Sequence, residues 1–377
     1  MLKVLFQSRR SLFTAFGGDT VQIQKTAEAL EKLGVHVDLD IKGEANPRDF
    51  DVVHLFNLMR PQETWIAARR AKEAGKPVVI STIFGPYTEL DRAVRRGMTG
   101  WMARHVSPDR FELIKILGRW VVNGECHPGL SRFLLRGVHQ AQEDIIAASS
   151  VLLPNSQGEA ERVKAHFPEA AAKKVVVVPN AVDPELFTQD HHCPACAEVE
   201  AAYGNQIVLC AARIEPRKCQ VELAEAMEGL PWKLVLVGKP GANSGEYYQR
   251  LQQTAARTGN CVIAGPVDPQ RLPCLYRVAR VHALVSWMET PGLSSLEAAA
   301  SGCQVLITRK GDTYEYFGDM AEYCDPASIE SIRQGVIRAY ERTPDHSAMA
   351  SLRERCTWEA AAKATFEGYL LAHPEMG

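Results

Sequence analysis

The 377 residues contain no stretch approaching the ~20 consecutive apolar residues of a membrane span. The opening run, within MLKVLFQS, is too short for the apolar region of a secretory leader. A cytoplasmic protein is the expectation, soluble or peripheral at the inner face of the membrane. An excess of charge of one sign is also missing. Lys and Arg number 43 against 45 Asp and Glu, a formal net charge of −2, so nothing draws the whole chain towards nucleic acid. After the first strand there is no G-x-G-x-x-G turn, which argues against a dinucleotide-dependent dehydrogenase. The run His191-His192-Cys193-Pro194-Ala195-Cys196 holds four soft ligands in six residues, but no second C-x-x-C exists. A structural zinc draws its ligands from two separated pairs, so no metal and no cofactor is expected. The ten cysteines are scattered, mostly inside apolar segments such as Ile207–Ala211, as reduced buried thiols are in a reducing compartment.

What is present fits two domains. The length exceeds the usual single core, and 46% of the residues are hydrophobic. Short apolar runs alternate with helical spacing. Strands are predicted at Lys3–Phe6, Val35–Leu39, Asp51–Leu55, Pro77–Ser81, Val151–Leu153 and Val175–Val178. A second set is predicted at Ile207–Ala212, Lys233–Val237, Val262–Ala264, Val281–Val285 and Val305–Thr308. Such alternation makes parallel sheets covered on both faces, an α/β fold. Pro184–Tyr203 shows no clear periodicity and carries the boundary.

The stretch Val281–Thr313 organises the rest. A strand ends near Val285, a turn follows at Glu289-Thr290-Pro291-Gly292, and a helix runs from Leu293 to a stop at Gly302. Glu289 on the loop and Glu297 in the helix can both face a crevice at the strand's carboxyl end, where open α/β sheets bind ligands. The backbone N–H groups of Gly292, Leu293 and Ser294 suit a phosphate. Two plainer readings stand beside this one. Ser294-x-x-Glu297 is also a capping box, and Glu289 can be a solvated loop residue. Arg213 and Lys218 leave the carboxyl end of strand Ile207–Ala212, where a guanidinium fork and an ammonium neutralise a pyrophosphate. Gly17-Gly18 opens the first helix, with Asp19 and Gln22 as a capping-box-like start, and lets a ligand approach the backbone closely. Asp38-Leu39-Asp40 spells a D-x-D, which we read as a chance match at a strand end.

Phe84 to Ala148 interrupt the alternation, with a basic stretch at residues 88–136. That stretch carries nine cations (Arg92, Arg95, Arg96, Arg104, Arg110, Lys115, Arg119, Arg132, Arg136) and five carboxylates (Glu89, Asp91, Asp109, Glu112, Glu125), a net +4 by subtraction. Trp101, Met102, Trp120, Phe133, Leu134 and Leu135 are interleaved, with helices predicted at Asp109–Val121 and Leu130–Ala148. The segment reads either as a solvated helical cover or as a peripheral contact for anionic lipid or an anionic acceptor.

Arg213-x4-Lys218, Glu289-x7-Glu297 and the Gly17-Gly18 loop, in this sheet context, resemble the retaining GT-B glycosyltransferases of family 4, the glycosyl transferases group 1. Pro179-Asn180-Ala181-Val182-Asp183 resembles the family's strand-to-linker signature, and Thr357-Trp358-Glu359 the start of its returning helix. The resemblance implies two Rossmann-like domains facing across a cleft. The first is an acceptor-binding domain, 1–185 plus the returning helix 358–377. The second, 186–357, binds the donor. It implies transfer of a sugar from a nucleotide-diphosphate sugar to a sugar or lipid-linked sugar acceptor, with retention and without metal, in polysaccharide or glycoconjugate synthesis. Arg213 and Lys218 would hold the donor diphosphate, Glu289 the sugar hydroxyls, Glu297 the ribose, and Gly17 or Gly18 would approach the distal phosphate. Where the family often has His-Gly or His-Asp, this chain has Phe84-Gly85, so one sugar contact is missing or replaced. Thr290-Pro291-Gly292 and Lys310-Gly311-Asp312 also depart from the pattern. A sugar-nucleotide epimerase of the same fold and a non-catalytic sugar-nucleotide binder remain as alternatives. Product analysis without acceptor separates the first, and absence of turnover the second.

Overall fold

The computed structural model describes residues 1–86, 89–91, 97–123, 130–187, 194–241 and 244–373. The chain divides into two compact units, Met1–Asn180 with Trp358–Gly377, and Ala181–Thr357. Each has one six-stranded, all-parallel sheet.

In the first unit the strands are β1 (Lys3–Gln7), β2 (His36–Asp40), β3 (Val52–Phe56), β4 (Val78–Ser81), β5 (Val151–Leu153) and β6 (Lys174–Val175). They lie in the order β2-β1-β3-β4-β5-β6. β3, β4 and β5 are buried along their whole length, as strands covered on both faces must be. The order reverses between β1 and β3, so the loop after β1 opens at the switch point where such sheets receive ligands. The helix Gly18–Lys32 follows that loop and stops at Gly34, whose φ of +81° a side chain rarely adopts.

The second unit has β7 (Ile207–Ala211), β8 (Lys233–Val237), β9 (Cys261–Gly265), β10 (Val281–Leu284), β11 (Gln304–Thr308) and β12 (Glu322–Cys324). Their order is β12-β11-β10-β7-β8-β9, and the switch point lies between β7 and β10. Apolar clusters cover both faces, one around Leu209, Val235 and Leu296, the other around Val208, Leu236 and Val281.

Several elements depart from the sequence reading. β12 went unread because only three residues, one of them Glu322, form it. Within Pro184–Tyr203 a helix forms at Pro194–Tyr203, turning Cys196 and Val199 into the core. His191, His192 and Cys193 lie outside the described residues. β6 is shorter than expected. The helix predicted as Leu130–Ala148 is two, Leu130–Arg136 and Val138–Ala148, because Gly137 sits at φ +86° between them. The basic segment also folds as Gly97–His105 and Pro108–Asn123. Arg92, Arg95, Arg96 and Glu125 fall outside the described residues.

The last helix, Trp358–Ala372, packs on the first unit's helix Gly18–Lys32 and on β5. At Gly368 a Cβ would stand 2.7 Å from Leu153 Cδ2, so any larger residue there makes the Leu153 side chain shift. The Tyr369 hydroxyl meets His54 Nδ1 at 2.7 Å, and Ser81 Oγ meets His54 Nε2 at 2.9 Å. Burial pushes this imidazole down to about 3, so it stays neutral. The trio ties β3 and β4 to the returning helix.

Candidate functional site

The loops after β7 and β10, on either side of the second switch point, bring the sequence candidates together. After β7 the chain makes a 3₁₀ turn, Pro216–Lys218, and then Cys219 takes a left-handed conformation at φ +50°. This turn drives Lys218 inward, only 9% exposed. Lys218 Nζ donates to Glu289 Oε1 in a buried ion pair. Glu289 is 8% exposed, so it is no solvated loop residue. Burial works against its ionisation, but Lys218 and then Arg217 outweigh it and hold the carboxyl below the ordinary range. Lys218 is pulled down by burial, with Arg217 adding, against the attraction of Glu289.

The sequence reading passed over Arg217, because a cation between Pro216 and Lys218 looks like a turn residue. In the structure Nη1 donates to Met288 O at 2.7 Å and to Glu289 Oε1 at 3.1 Å, while Nη2 donates to Glu215 Oε1 at 3.1 Å. The signal that could have found it is its adjacency to Lys218 in a strand-end loop. Arg213 belongs to the same loop but its side chain is 48% exposed, with Nη2 3.8 Å from Glu215 Oε1. Of the two expected phosphate ligands, one is therefore turned into the ion cluster and the other outward.

The loop that carries Glu289 is shaped by close backbone approach. Glu289 N donates to Lys310 O at 3.2 Å and Asp312 N to Glu289 O at 3.0 Å. A Cβ at Gly311, at φ +95°, would fall 2.1 Å from Glu289 O, so the Lys310-Gly311-Asp312 departure keeps the one glycine the geometry needs. Gly292, at φ +88°, is the N-cap of helix Leu293–Ala300, and a Cβ there would press Leu284 Cδ2 at 2.9 Å and Glu289 Oε2 at 3.3 Å.

With Gly292 as N-cap, Ser294 is the second helical residue and the capping-box reading of Ser294 and Glu297 falls. Glu297 instead accepts from the Tyr276 hydroxyl at 3.0 Å. Burial raises its carboxyl to about 7, against the pull of that hydrogen bond. Beneath the site, His282 of β10 is fully buried, and neither ring nitrogen has a hydrogen-bond partner. Burial, with Lys218 adding, takes it down to about 3.

Gly17 and Gly18 sit in the first unit. Gly17 is the N-cap of the first helix in an extended conformation, and Thr20 Oγ1 accepts its N–H at 3.2 Å. The expected Asp19–Gln22 start is corrected. Asp19 pairs with Arg9 (Nε to Oδ2, 2.7 Å), and Gln22 reaches Asn155 Oδ1 at 2.8 Å. Asp40 of the D-x-D accepts the backbone N–H groups of Lys42, Gly43 and Ala45, a loop anchor. Phe84 is buried against Phe167, ring centroids 5.4 Å apart, so its side chain is core.

Residues 197–360 match the family described as "Glycosyl transferases group 1". D-inositol 3-phosphate glycosyltransferase of Mycobacteroides abscessus is 28% identical over 216 residues, which cover 56% of this chain and 45% of that protein. The chain thus spans about half the length of that curated relative. Sucrose-phosphate synthase (tll1590) from Thermosynechococcus elongatus superposes with a TM-score of 0.71 at 16% identity, covering 98% of each chain. Anabaena Alr3699/HepE, in complex with UDP and glucose, gives 0.70 at 16% identity over 97% of this chain and 99% of that one. These two establish the fold. No described helix is long and apolar enough to cross a membrane. Residues 197–360 thus match the family that the sequence resembles, glycosyl transferases group 1, and the chain has the GT-B fold.

Proposed function

We propose that this protein transfers a sugar from a nucleotide-diphosphate sugar to a hydroxyl of a sugar or lipid-linked sugar acceptor, with retention of anomeric configuration. The observation that carries the reading is the buried Lys218–Glu289 pair at the sheet's switch point, inside the segment that matches the family. The bond from the anomeric carbon to the diphosphate breaks, and the nucleoside diphosphate leaves with its electrons. A bond to the acceptor oxygen forms on the same face, and the acceptor proton passes to the departing phosphate oxygen. Lys218 and Arg213 neutralise the charge that grows on the leaving group, with the helix start at Gly292, Leu293 and Ser294 adding oriented N–H groups. Glu289 holds the sugar hydroxyls and Glu297 the ribose. We assign Gly17 and Gly18 to the distal phosphate and the acceptor to the first unit. No metal or cofactor enters this scheme.

The donor class is supported by the UDP and glucose named with Anabaena Alr3699/HepE, and a small hydroxylated acceptor by the inositol phosphate in the relative's name. Release of nucleoside diphosphate from a panel of UDP-, GDP- and ADP-sugars, with and without acceptors, is the test. The anomeric coupling constant of the product decides retention. No release from any donor would leave the non-catalytic binder, and an isomerised sugar without acceptor would leave the epimerase.

We also assign a peripheral contact with anionic lipid, at the cytoplasmic face, to the basic segment 88–136. Trp101, Ile114, Leu117 and Leu135 are exposed there, with Arg104 and Arg110 beside them in sequence. Flotation with phosphatidylglycerol vesicles at low salt is expected to carry the parent protein and not a Trp101→Ser/Leu135→Ser variant. Absence of parental flotation sinks the assignment.

A further inference from the structure

An anionic side chain that positions a sugar has to keep its place when its cationic partner is drawn to another anion. Glu289 faces this problem, because Lys218, its buried partner, is also the residue assigned to the donor diphosphate. We infer that Arg217 is the positioning residue for Glu289, holding it fixed while Lys218 moves between that carboxylate and the donor diphosphate. The inference rests on Glu289 being the donor-sugar contact, and it adds a third cation with a role distinct from those of Arg213 and Lys218.

Arg217 is built into both loops. Its Nε and Nη2 hold Glu215 Oε1 at 3.3 and 3.1 Å. Its Nη1 holds the carbonyl of Met288, the residue before Glu289, at 2.7 Å, and Glu289 Oε1 at 3.1 Å. Its own carbonyl accepts Trp287 N at 3.0 Å and Ser286 Oγ at 3.1 Å. A planar guanidinium engaged along several directions cannot rotate without breaking several bonds together. The Lys218 ammonium is a compact point charge on a flexible stem and exchanges anions by rotation about that stem. The pair therefore divides the work. Arg217 fixes the geometry, and Lys218 supplies a transferable charge. A misplacement of about 1 Å in such a carboxylate is enough to cost ~10²-fold in rate.

The charged and titratable groups facing Glu289 are Lys218 and Arg217 from the loop after β7, with Glu215 behind Arg217. His282 lies on β10, and Lys310 and Asp312 lie on the loop after β11. Weakening Arg217 removes one of the two cations that keep Glu289 ionised, so the acid limb of the rate profile moves to higher pH.

The experiment has two arms on the full-length chain. The first is a double-mutant cycle of Arg217→Gln and Glu289→Gln in urea unfolding of ligand-free protein, with Arg217→Lys replacing Arg217→Gln should that variant not fold. The unfolding constant of the double variant is expected to depart from additivity by about tenfold; additive effects overturn the inference whatever the protein does with sugars. The second arm follows release of UDP from UDP-glucose, or of nucleoside diphosphate from whichever donor of the panel is turned over. Arg217→Gln is expected to lower kcat by about ten- to a hundredfold, to change donor KM less, and to move the acid limb to higher pH. Guanidinium chloride is expected to restore part of the activity of Arg217→Ala, and methylammonium chloride at the same ionic strength is not. An unmoved acid limb with loss in KM alone overturns the inference. Should the parent release diphosphate from no donor, the glycosyltransferase reading fails, while the first arm still decides whether Arg217 holds Glu289.

Discussion

The two units share an architecture and use charge in opposite ways. At the carboxyl ends of the first sheet, buried polar groups are tied up locally. Arg9, 6% exposed, spends its guanidinium on Asp19, on Ser11 O at 2.7 Å and on Ala15 O at 2.7 Å. Asp40 pins its own loop. Glu159, fully buried, accepts from Thr82 Oγ1, Phe84 N and Asn155 N. In the second unit Arg213, Arg217 and Lys218 meet Glu215 and Glu289, three cations against two carboxylates, and Arg213 points outward. Satisfied charges stiffen a scaffold, whereas an uneven cluster with one exposed cation leaves capacity for an anion. Under the proposed function, equivalent strand ends in a repeated fold put a satisfied ion network in one copy and the charges that meet the leaving group in the other.

The sharpest break of that comparison is Lys218→Ala. If the cluster serves a reaction, turnover should fall by ~10²–10³ with a smaller loss of donor binding, since the leaving group gains charge in the transition state. Arg213→Ala should act in the same direction without disturbing the fold, because its side chain is half exposed. Lys218→Ala also leaves Glu289 with a single cation, so its melting temperature must be measured beside the kinetics and compared with Lys218→Arg. Near-parental turnover in folded Arg213→Ala and Lys218→Ala would remove this cluster from the reaction.

The converse holds in the first unit. Arg9→Ala strands Asp19 and should cost about 3 kcal/mol of stability, read as loss of the first unit's calorimetric transition midpoint. Binding of UMP, which lacks the distal phosphate assigned to Gly17 and Gly18, should stay at the parental value. A variant with parental stability and lost nucleotide binding would reverse the roles assigned to the two strand ends.

The sequence made the sheets legible because buried parallel strands are continuous apolar runs. β3, β4, β7 and β11 are of this kind. It hid β12, which is short and carries Glu322, and it could not show that Gly137 divides one helical pattern into two. At the site, Lys218, Glu289 and Glu297 were legible as residue types at strand ends and helix starts. Their mutual arrangement was not. Whether Ser294 caps a helix depends on a two-residue difference in where the helix begins, and Gly292 at φ +88° decides it. Arg217 stayed hidden because its contacts lie about 70 positions away, at Met288 and Glu289. Asp19 and Gln22 misled because their spacing imitates a local cap, while their partners, Arg9 and Asn155, are tertiary.

The smallest effect expected is at Glu297. Its carboxyl is raised by burial from an ordinary 4.5 to about 7, so the folded state holds the proton more tightly than the unfolded chain. The stabilisation from that neutral form is therefore complete below about pH 4.5 and is lost as the pH rises through about 7. Glu297→Gln keeps a polar partner for Tyr276 but cannot ionise. Parent and variant should have similar urea midpoints near about pH 5, and the variant should be the more stable near about pH 8. Nucleotide affinity should move the other way. Ribose hydroxyls bind the carboxylate form, so UDP binding to the parent should strengthen across the same interval, and binding to the variant should stay flat and weaker. Turnover at saturating donor should change little, because ribose contacts are equal in the ground and transition states. Urea titrations and UDP calorimetry at the two pH values read both signs. Parallel pH dependence in parent and variant would mean that Glu297 does not titrate in this interval, and its raised pKa would fall; UDP affinity equal in parent and variant at both pH values would remove Glu297 from the ribose.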